Sequence, residues 1–220
     1  MNVLLVAAHP DDELLGVGGT VARHVDRGDR VRLAVMCEGI SIRYDAQRHA
    51  EVQAQAKAAA EILGVRDLVL RDLPDQRLDT ISLTDIVREI DGVLDGFEAE
   101  VLYTHFGGDI NRDHRILTEA VLVATRPYAA PSVRDVFMFE TPSSTEWGSN
   151  TLLPAFHPNH FVDITDTLER KIEAFLRYTK EVRPFPHPRS PEALRDRARY
   201  WGSLVNRKAA EPFVLVRGLR

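Results

Sequence analysis

The sequence predicts an α/β fold: a Rossmann-like, doubly wound and mainly parallel sheet with helices on both faces and a C-terminal elaboration. Apolar runs of strand length alternate with helical patterns in the order β-α-β-α-β-α-β-α over residues 1–126. Polar clusters directly follow the first and the fourth of these runs. Strands alternating with helices form parallel sheets with right-handed crossovers, and functional residues gather beyond the carboxyl ends of the strands.

Length and composition fit one folded unit. The chain has 220 residues, of which 44% are hydrophobic, and this is enough to bury an ordinary core. We expect a single domain over residues 1–220. Within it, residues 1–126 should form the α/β core that carries the functional loops. Residues 127–220 should form an elaboration that shapes a substrate pocket or supports oligomers.

Charge and cysteine content narrow the class of protein. The net charge is −5 and the basic residues are scattered, so we expect no nucleic-acid partner. The first apolar run lacks a preceding cationic segment and is too short for a signal peptide or a membrane span. A cytoplasmic protein without membrane insertion is therefore expected. Cys37 is the only cysteine, which excludes an intrachain disulfide, and we expect it to be a small core residue.

The first predicted strand ends in an acidic turn. An apolar run leads to His9, and Pro10 should end the strand there because it has no N–H to donate. The side chain of Asp11 or Asp12 can cap the helix that follows, and Glu13 would favour its N-terminal dipole. Crowded carboxylates repel one another unless they point apart or a cation neutralises them.

The remaining elements follow from periodicity and turn signals. Gly64 supplies a helix stop, and Ser82 with Asp85 resembles a capping box. After the first strand, the predicted strands cover residues 31–37, 67–70, 100–105, 135–140, 160–164 and 213–217. The predicted helices cover about 45–63, 82–97, 168–176 and 192–206. Two more helices are predicted to begin at the two polar clusters.

The second polar cluster, residues 104–115, reads THFGGDINRDHR and follows the fourth predicted strand. Because the carboxyl ends of parallel strands meet at one edge of a sheet, we expect this cluster to lie beside residues 9–13. His9, Asp12 and His114 would then supply the two imidazoles and one carboxylate of a catalytic zinc site, which keeps an open position for water. Asp11 would remain free beside that water as a general base and later a general acid.

Three further residues of the second cluster have two interpretations each. Asn111 could hold a substrate carbonyl oxygen as negative charge develops on it, or it could cap the fourth helix. Asp113 could orient His114 or a neighbouring side chain, or it too could serve as a cap. For His105 we expect a buried histidine that is satisfied by backbone groups rather than a ligand.

The motifs AHPDDE and DINRDHR closely resemble those of the LmbE-like (PIG-L) zinc-dependent de-N-acetylases. The resemblance covers residues 2–126 and implies that His9, Asp12 and His114 bind one Zn²⁺ per chain, with Asp11 as the base. It also implies that an acetyl group is removed from an N-acetylated amino sugar or a sugar conjugate. RHAE, at residues 48–51, resembles the family's RxxE helix, so Arg48 is expected to contact substrate.

A sugar-facing loop and one departure follow from the same resemblance, since Leu73-Pro74-Asp75 resembles the loop that faces the sugar. Apart from the resemblance, Asp75, Arg77 and Arg112 are candidates for holding hydroxyls, phosphate or nucleotide of the substrate, and the alternative for each is an ordinary surface charge. Many family members have a histidine where this chain has Asn111, and an amide cannot protonate the leaving amine. Asp11 would then supply that proton, unless His187 reaches in from the proline-rich loop. The resemblance also implies homo-oligomers, as trimers or hexamers.

Two other functions are compatible with parts of the pattern. A metal-dependent phosphoesterase acting on a sugar phosphate or nucleotide would need a second metal, for which Glu13, Asp109 and Asp113 are available ligands. A non-enzymatic nucleotide-binding module is disfavoured because the first strand leads into acids rather than a glycine-rich turn. The residues do not decide which metal binds, since a set of two histidines and one aspartate also suits iron, cobalt or nickel.

Overall fold

The computed structural model describes residues 1–39 and 48–220, with the side chain of Arg48 left out. Its centre is a seven-stranded sheet in the order β3-β2-β1-β4-β5-β7-β6. The first five strands pair in parallel, whereas β7 runs antiparallel to both β5 and β6. The strands are β1 (Asn2–Ala7), β2 (Arg30–Cys37), β3 (Asp67–Leu73), β4 (Val101–His105), β5 (Asp135–Phe139), β6 (His160–Asp163) and β7 (Ala210–Gly218).

Helices cover both faces of the sheet, as the alternating pattern predicts. The helices are α1 (Asp12–Asp26), α2 (Arg48–Leu63), α3 (Leu83–Leu94), α4 (Arg112–Ala124), α5 (Leu168–Phe175) and α6 (Pro191–Leu204). One hydrophobic core contains residues of α1, α2, α5 and α6, and the other contains residues of α3 and α4. No helix in the described ranges has the length and apolar character that a membrane crossing requires.

The central strand β1 shows why the sheet is buried on both sides. Val3 and Leu5 belong to one core, while Leu4 and Val6 belong to the other, and all four are inaccessible to solvent. Successive side chains of a strand point to opposite faces, so a continuous apolar run can fill both cores. The run therefore predicts a central parallel strand rather than an edge strand.

The predicted elements are confirmed, and their ends differ by a few residues. The third strand continues beyond the predicted 67–70, because Leu73 still pairs with Cys37 of β2 after a register shift. The last strand begins earlier than predicted, because Ala210 pairs with Asp163 of β6. Ser82 caps α3 by accepting from the Asp85 N–H, as the capping box predicts. Residues 45–47 of the predicted second helix lie outside the described part.

A buried ion pair ties the C-terminal elements to the first helix. Lys171 of α5 donates from Nζ to Oε1 of Glu211 in β7 over 2.6 Å and to the Leu15 carbonyl over 3.0 Å. Glu211 also accepts the backbone N–H groups of Gly19 and Thr20 in α1. Both charged side chains are almost fully buried, and each has several partners, as a buried charge requires.

Candidate functional site

The candidate site lies where β1 and β4 end side by side. β1 leads through α1 towards β2 on one side of the sheet, whereas β4 begins the other half of the strand order. Ligands of open α/β sheets bind at such a switch point, outside the carboxyl ends of the strands. The structure brings the two predicted polar clusters together here, because residues 9–13 follow β1 and residues 109–114 follow β4.

The turn after β1 has an unusual backbone conformation. The backbone φ of Asp11 is 108°, a value that non-glycine residues rarely adopt. The Asp11 N–H donates to Oε2 of Glu13 over 2.9 Å. Tyr178 donates its hydroxyl to Oε1 of the same glutamate over 2.6 Å. Burial raises the pKa of Glu13 to about 7, against the lowering effect of the Tyr178 hydrogen bond. The fully enclosed Glu13–Tyr178 pair thus holds the strained turn in place.

The predicted side-chain cap of α1 is wrong. Asp11 stands at the N-cap position, but its side chain accepts no hydrogen bond from the first turn of the helix. Asp12 is the first helical residue, and its Oδ2 instead accepts the backbone N–H of His9 over 2.9 Å. Both carboxylates are therefore available for chemistry rather than used to start the helix.

Three side-chain atoms form a triangle that fits a tetrahedral metal ion. His9 Nδ1 lies 3.1 Å from Asp12 Oδ2 and 3.2 Å from His114 Nε2. The third side, from His114 Nε2 to Asp12 Oδ2, is 3.1 Å. Two ligand atoms that are each about 2.1 Å from a tetrahedral zinc lie about 3.4 Å apart. The His9–Asp12–His114 group, called the triad below, is also one of two groups of nearby ligand atoms within the described residues.

Each histidine of the triad has a second carboxylate next to its outer ring nitrogen. Asp113 Oδ2 lies 3.0 Å from His9 Nε2, and Asp109 Oδ2 lies 3.3 Å from His114 Nδ1. These partners favour a proton on the outer nitrogen of each ring, which leaves the two inner nitrogens with lone pairs that face Asp12. Lone pairs and a carboxylate that converge in this way repel one another until a cation lies between them.

The pKa shifts of the three triad side chains also indicate that this position favours a positive charge. Burial opposes a charge on His9, but hydrogen bonds to Asp113 and Asp12 raise its pKa well above the usual value. Burial likewise opposes a charge on His114, and the nearby Asp12 and Asp109 raise its pKa. Burial resists ionisation of Asp12 too, yet the neighbouring His114 and His105 rings lower its pKa strongly. The donor set therefore fits a divalent cation with nitrogen and oxygen ligands.

His105 lies against the triad without joining it. Its ring stacks on His114 with centroids 3.9 Å apart, and its Nε2 accepts the backbone N–H of Ala8 over 2.9 Å. Its Nδ1 lies 3.1 Å from the Thr141 hydroxyl. Burial and the neighbouring His114 lower the pKa of His105 well below its usual value. The expectation of a buried histidine held by a backbone group agrees with this geometry.

Asn111 caps α4 and also lines the pocket. Its Oδ1 accepts the Asp113 N–H over 2.9 Å, and its own N–H donates to Asp109 Oδ1 over 2.7 Å. Because Oδ1 is already used in the cap, the amide nitrogen Nδ2 is the group that remains to contact a substrate. The two interpretations of Asn111 are therefore compatible with each other.

A pocket of about 540 Å³ opens over the triad. This volume lies in the range of small-molecule sites. Its walls come from both predicted parts of the chain: the N-terminal part contributes the triad, Asp11 and the loop after β3, and the C-terminal part contributes residues on either side of β6. The lining side chains outside the triad include Asp11, Gln55, Asp75, Gln76, Asn111, Ser143, Ser144, Tyr178, Glu181, Arg183 and Arg189.

The predicted substrate-binding residues are placed unevenly around this pocket. Asp75 lines it and is buried, with Oδ1 only 3.3 Å from His9 Nε2. Arg77 is exposed and Arg112 pairs with Asp79 at the surface, and neither of them is among the lining residues. His187 is also outside the lining and packs edge-on against an exposed Trp147. The side chain of Arg48 lies outside the described part.

Several residues of the site could not be found by inspection of the sequence. Arg189 donates to Asp11 Oδ2 over 2.9 Å from a position 178 residues further along the chain. Tyr178 and Glu181, which line the same wall, also lie in the irregular C-terminal part. The sequence predicts Asp109 only as a candidate ligand for a second metal, whereas the structure places its Oδ2 3.3 Å from His114 Nδ1. No spacing rule connects these positions, since only the folded sheet brings them together.

Known proteins resemble both the sequence and the fold. Residues 4–125 match the family model PIG-L, described as GlcNAc-PI de-N-acetylase. A diacetylchitobiose deacetylase of Thermococcus kodakarensis is 27% identical over 233 residues, covering 99% of this chain and 84% of its own length.

Two solved structures show the fold at lower identity. A conserved protein of Thermus thermophilus has a TM-score of 0.80 at 24% identity, covering 99% of this chain and 96% of its own. The hydratase GalB of Pseudomonas putida has a TM-score of 0.73 at 20% identity, covering 100% and 97%. The family match extends over more than half of the chain, and it includes all three triad residues and Asp11. The chain therefore belongs to the PIG-L family of de-N-acetylases.

Proposed function

We propose that this protein is a zinc-dependent hydrolase that removes the acetyl group from an N-acetylated amino sugar or a sugar conjugate. The observation that carries the proposal is the triad with Asp11 beside it, at the floor of one pocket. The family match and the deacetylase named among the relatives support the same reaction.

The reaction is an amide hydrolysis, and Asp11 is the residue we assign to proton transfer. Zinc held by the triad would lower the pKa of water and polarise the amide carbonyl. Asp11 would accept the proton of the attacking water as the new C–O bond forms at the carbonyl carbon. Burial raises the pKa of Asp11 well above its usual value although the nearby Arg189 lowers it, and a carboxylate of raised pKa is a better base near neutral pH.

Cleavage of the C–N bond requires that a proton reach the leaving nitrogen. Asn111 carries no transferable proton, so we assign this step also to Asp11, which returns the proton it accepted from water. The products are then acetate and the free amine. In this scheme Asn111 contributes its Nδ2–H to the substrate carbonyl oxygen as negative charge develops on it. Asp113 would hold the His9 ring in the orientation that a metal needs, over the 3.0 Å contact.

For the substrate we propose a sugar whose ring and attached group occupy the wider part of the pocket. Asp75 is the best placed of the predicted binding residues, because its buried carboxylate lines the pocket and could accept from sugar hydroxyls. Arg48, Arg77, Arg112 and His187 remain predictions for contacts to more distant parts of a conjugate. The residue range 127–220 is proposed as the elaboration that completes the pocket. Trimers or hexamers are also a prediction, and light scattering on the purified protein tests it.

The alternative function is a two-metal phosphoesterase. The second group of nearby ligand atoms in the described ranges is His9, Cys37 and Asp113, and it shares His9 with the triad. In a two-metal phosphoesterase, two ions about 3.5–4 Å apart stabilise the attacking and the leaving oxygen of the displacement at phosphorus. A shared histidine and a buried thiol do not favour that arrangement. The fold by itself does not choose the reaction, since GalB, a hydratase, has a similar one.

The test is a product assay on the purified protein with its metals counted by mass spectrometry. We expect close to one zinc per chain and acetate release from at least one member of a panel of N-acetylated amino sugars and their conjugates. Phosphate release from sugar phosphates, measured in parallel, represents the alternative. Two metals per chain with phosphate and no acetate would replace the proposal, and a protein that binds no metal would contradict it.

A further inference from the structure

The side chain of Arg189 joins three separate segments at the wall of the pocket. Its Nη1 donates to Asp11 Oδ2 over 2.9 Å and to Glu181 Oε2 over 3.0 Å. Its Nε donates to the Ser143 hydroxyl over 2.7 Å. Asp11 lies before α1, Glu181 in the segment after α5, and Ser143 in the loop after β5. A guanidinium presents its donors in a rigid fork and can hold such groups in fixed directions at the same time, whereas an ammonium is a point charge on a flexible stem.

Arg189 is itself held firmly by its neighbours in the chain. Its backbone N–H donates to His187 Nδ1 over 3.1 Å. The next residue, Ser190, is fully buried and caps α6 by accepting the Ala193 N–H over 3.0 Å. The guanidinium therefore extends from the start of a helix rather than from a free loop, so its position relative to the pocket is defined.

Two of its partners have backbone conformations that are costly for L-residues. Asp11 has a φ of 108° and Ser143 a φ of 72°. Within the described ranges four non-glycine residues have a positive φ, and the third one that lines the pocket is Gln76. Strained residues persist only where their surroundings determine them, and they cluster at functional sites. Contacts from Arg189 to two of these strained residues are therefore part of what fixes this side of the pocket.

The contact to Asp11 uses one carboxylate oxygen and leaves the other available. Oδ2 accepts from Arg189, and among the described residues no hydrogen-bond donor reaches Oδ1. We propose that Arg189 is a positioning residue for the base. It orients the Asp11 carboxylate so that Oδ1 faces the reacting water. The inference rests on the proposed function, and it assigns a role to a residue beyond positions 4–125 that match the family.

The same contact has an electrostatic consequence. Nη1 contacts the carboxylates of both Asp11 and Glu181, so its removal takes away the cation that these two neighbouring acids share. Asp11 would then turn away from Glu181, and this change of orientation reduces its use as a base. A misplacement of about 1 Å can cost about 100-fold in rate.

The first test replaces Arg189 by methionine, which keeps an unbranched side chain as far as the position of Nε and removes its charge and donors. We expect kcat for acetate release to fall by about 100-fold while KM changes by less than about threefold. The reason is that the variant removes a contact to the base Asp11 and no contact to the substrate. The matched control is Arg195→Met. Arg195 pairs with Glu169 at the surface and is not among the lining residues, so its loss should leave both constants unchanged.

Two further measurements separate positioning from a general role in folding. Added guanidinium at millimolar concentration should restore part of kcat in Arg189→Ala and have no effect on Arg195→Ala. Arg189→Lys should recover part of the lost kcat, since one ammonium can contact Asp11 but not all three partners. Glu181→Gln in the Arg189→Met background should restore further activity by removing the neighbouring negative charge. If Arg189→Met does not fold, the lysine variant and the guanidinium series decide the question.

The outcomes also separate this inference from the proposed function. If the wild type releases acetate and Arg189→Met has a kcat within twofold of it, the positioning role is wrong and the proposed function stands. If KM rises while kcat is unchanged, Arg189 binds substrate and the inference is likewise wrong. If the wild type releases no acetate from any N-acetylated sugar, the proposed function fails first and the inference fails with it.

Discussion

Asp109 provides the most specific prediction about the metal site. Its carboxylate is fully buried, accepts from the hydroxyls of Ser144 and Thr145, and lies 3.3 Å from His114 Nδ1. Burial resists its ionisation, but the nearby His114 ring lowers the pKa of Asp109, so it is charged near neutral pH. We predict that Asp109→Asn weakens zinc binding without unfolding the protein.

The expected magnitude follows from what the substitution changes. An asparagine keeps the size of the side chain, and the two hydroxyls can rotate to accept from its amide group. The change removes the negative charge behind His114 and allows the ring to turn or to change its protonated nitrogen. Loss of such an outer partner typically costs 10–100-fold in metal affinity, which corresponds to about 1.4–2.7 kcal/mol.

The assay is a competition for zinc against a chromophoric chelator at one fixed pH, with the melting temperature measured on the same samples. Asp26→Asn is the control, because Asp26 forms an exposed pair with Arg170 and should leave zinc affinity unchanged. An affinity of Asp109→Asn within twofold of the wild type would refute the account of how His114 is held. A variant that is unfolded without zinc and folded with it would still give a measurable affinity through its folding.

Three other predictions concern stability. Tyr178→Phe leaves Oε1 of the buried Glu13 without its donor, and we expect a loss of about 1–3 kcal/mol in urea unfolding; an unchanged midpoint would contradict this. Lys171→Met leaves the buried carboxylate of Glu211 without its cation, at a cost of about 3–5 kcal/mol, whereas Arg170→Met, at an exposed pair, should cost less than about 1 kcal/mol in the same assay. Removing the metal with a chelator should lower the melting temperature, since an ion present at about 1,000 times its Kd stabilises the native state by about 4 kcal/mol; a melting temperature that does not respond to zinc would argue against the site.

The parts of the fold that could be predicted are those with a strong local signal. The buried strand β1, the helix stop at Gly64 and the capping box at Ser82 each depend on a few neighbouring residues. The triad could be predicted for a related reason. Its residues follow two strands of one parallel sheet, and that arrangement brings His9 and His114 together although they lie 105 positions apart.

What could not be predicted depends on contacts that no local pattern encodes. The side chain of Asp11 was expected as one of two caps, but a backbone φ of 108° turns it away from the helix, and the contact that stabilises this turn comes from Tyr178 in the distant C-terminal part. The oxygen of Asn111 serves as the cap of α4 instead. Serine and aspartate side chains cap many helices, so the sequence alone does not show which aspartate caps its helix and which one serves a functional site.

The arginines show the same limit. The sequence predicts Arg48, Arg77 and Arg112 as candidates, whereas Arg189 stands in the proline-rich stretch from which only His187 is predicted to enter the site. The structure places Arg112 at the surface beside Asp79, while Arg189 contacts the proposed base directly. Proximity in the chain to a motif is therefore a weak guide to which arginine enters the site.

The most direct test of the central claim compares the wild type with Asp11→Asn on the N-acetylated substrate that the panel identifies. Asparagine tolerates a positive φ better than alanine does, so it removes the base with little change in the turn. The account predicts about one zinc per chain in both proteins, with acetate release in the wild type reduced by at least about 100-fold in the variant. Equal acetate release from both proteins, with zinc bound in each, would contradict Asp11 as the base.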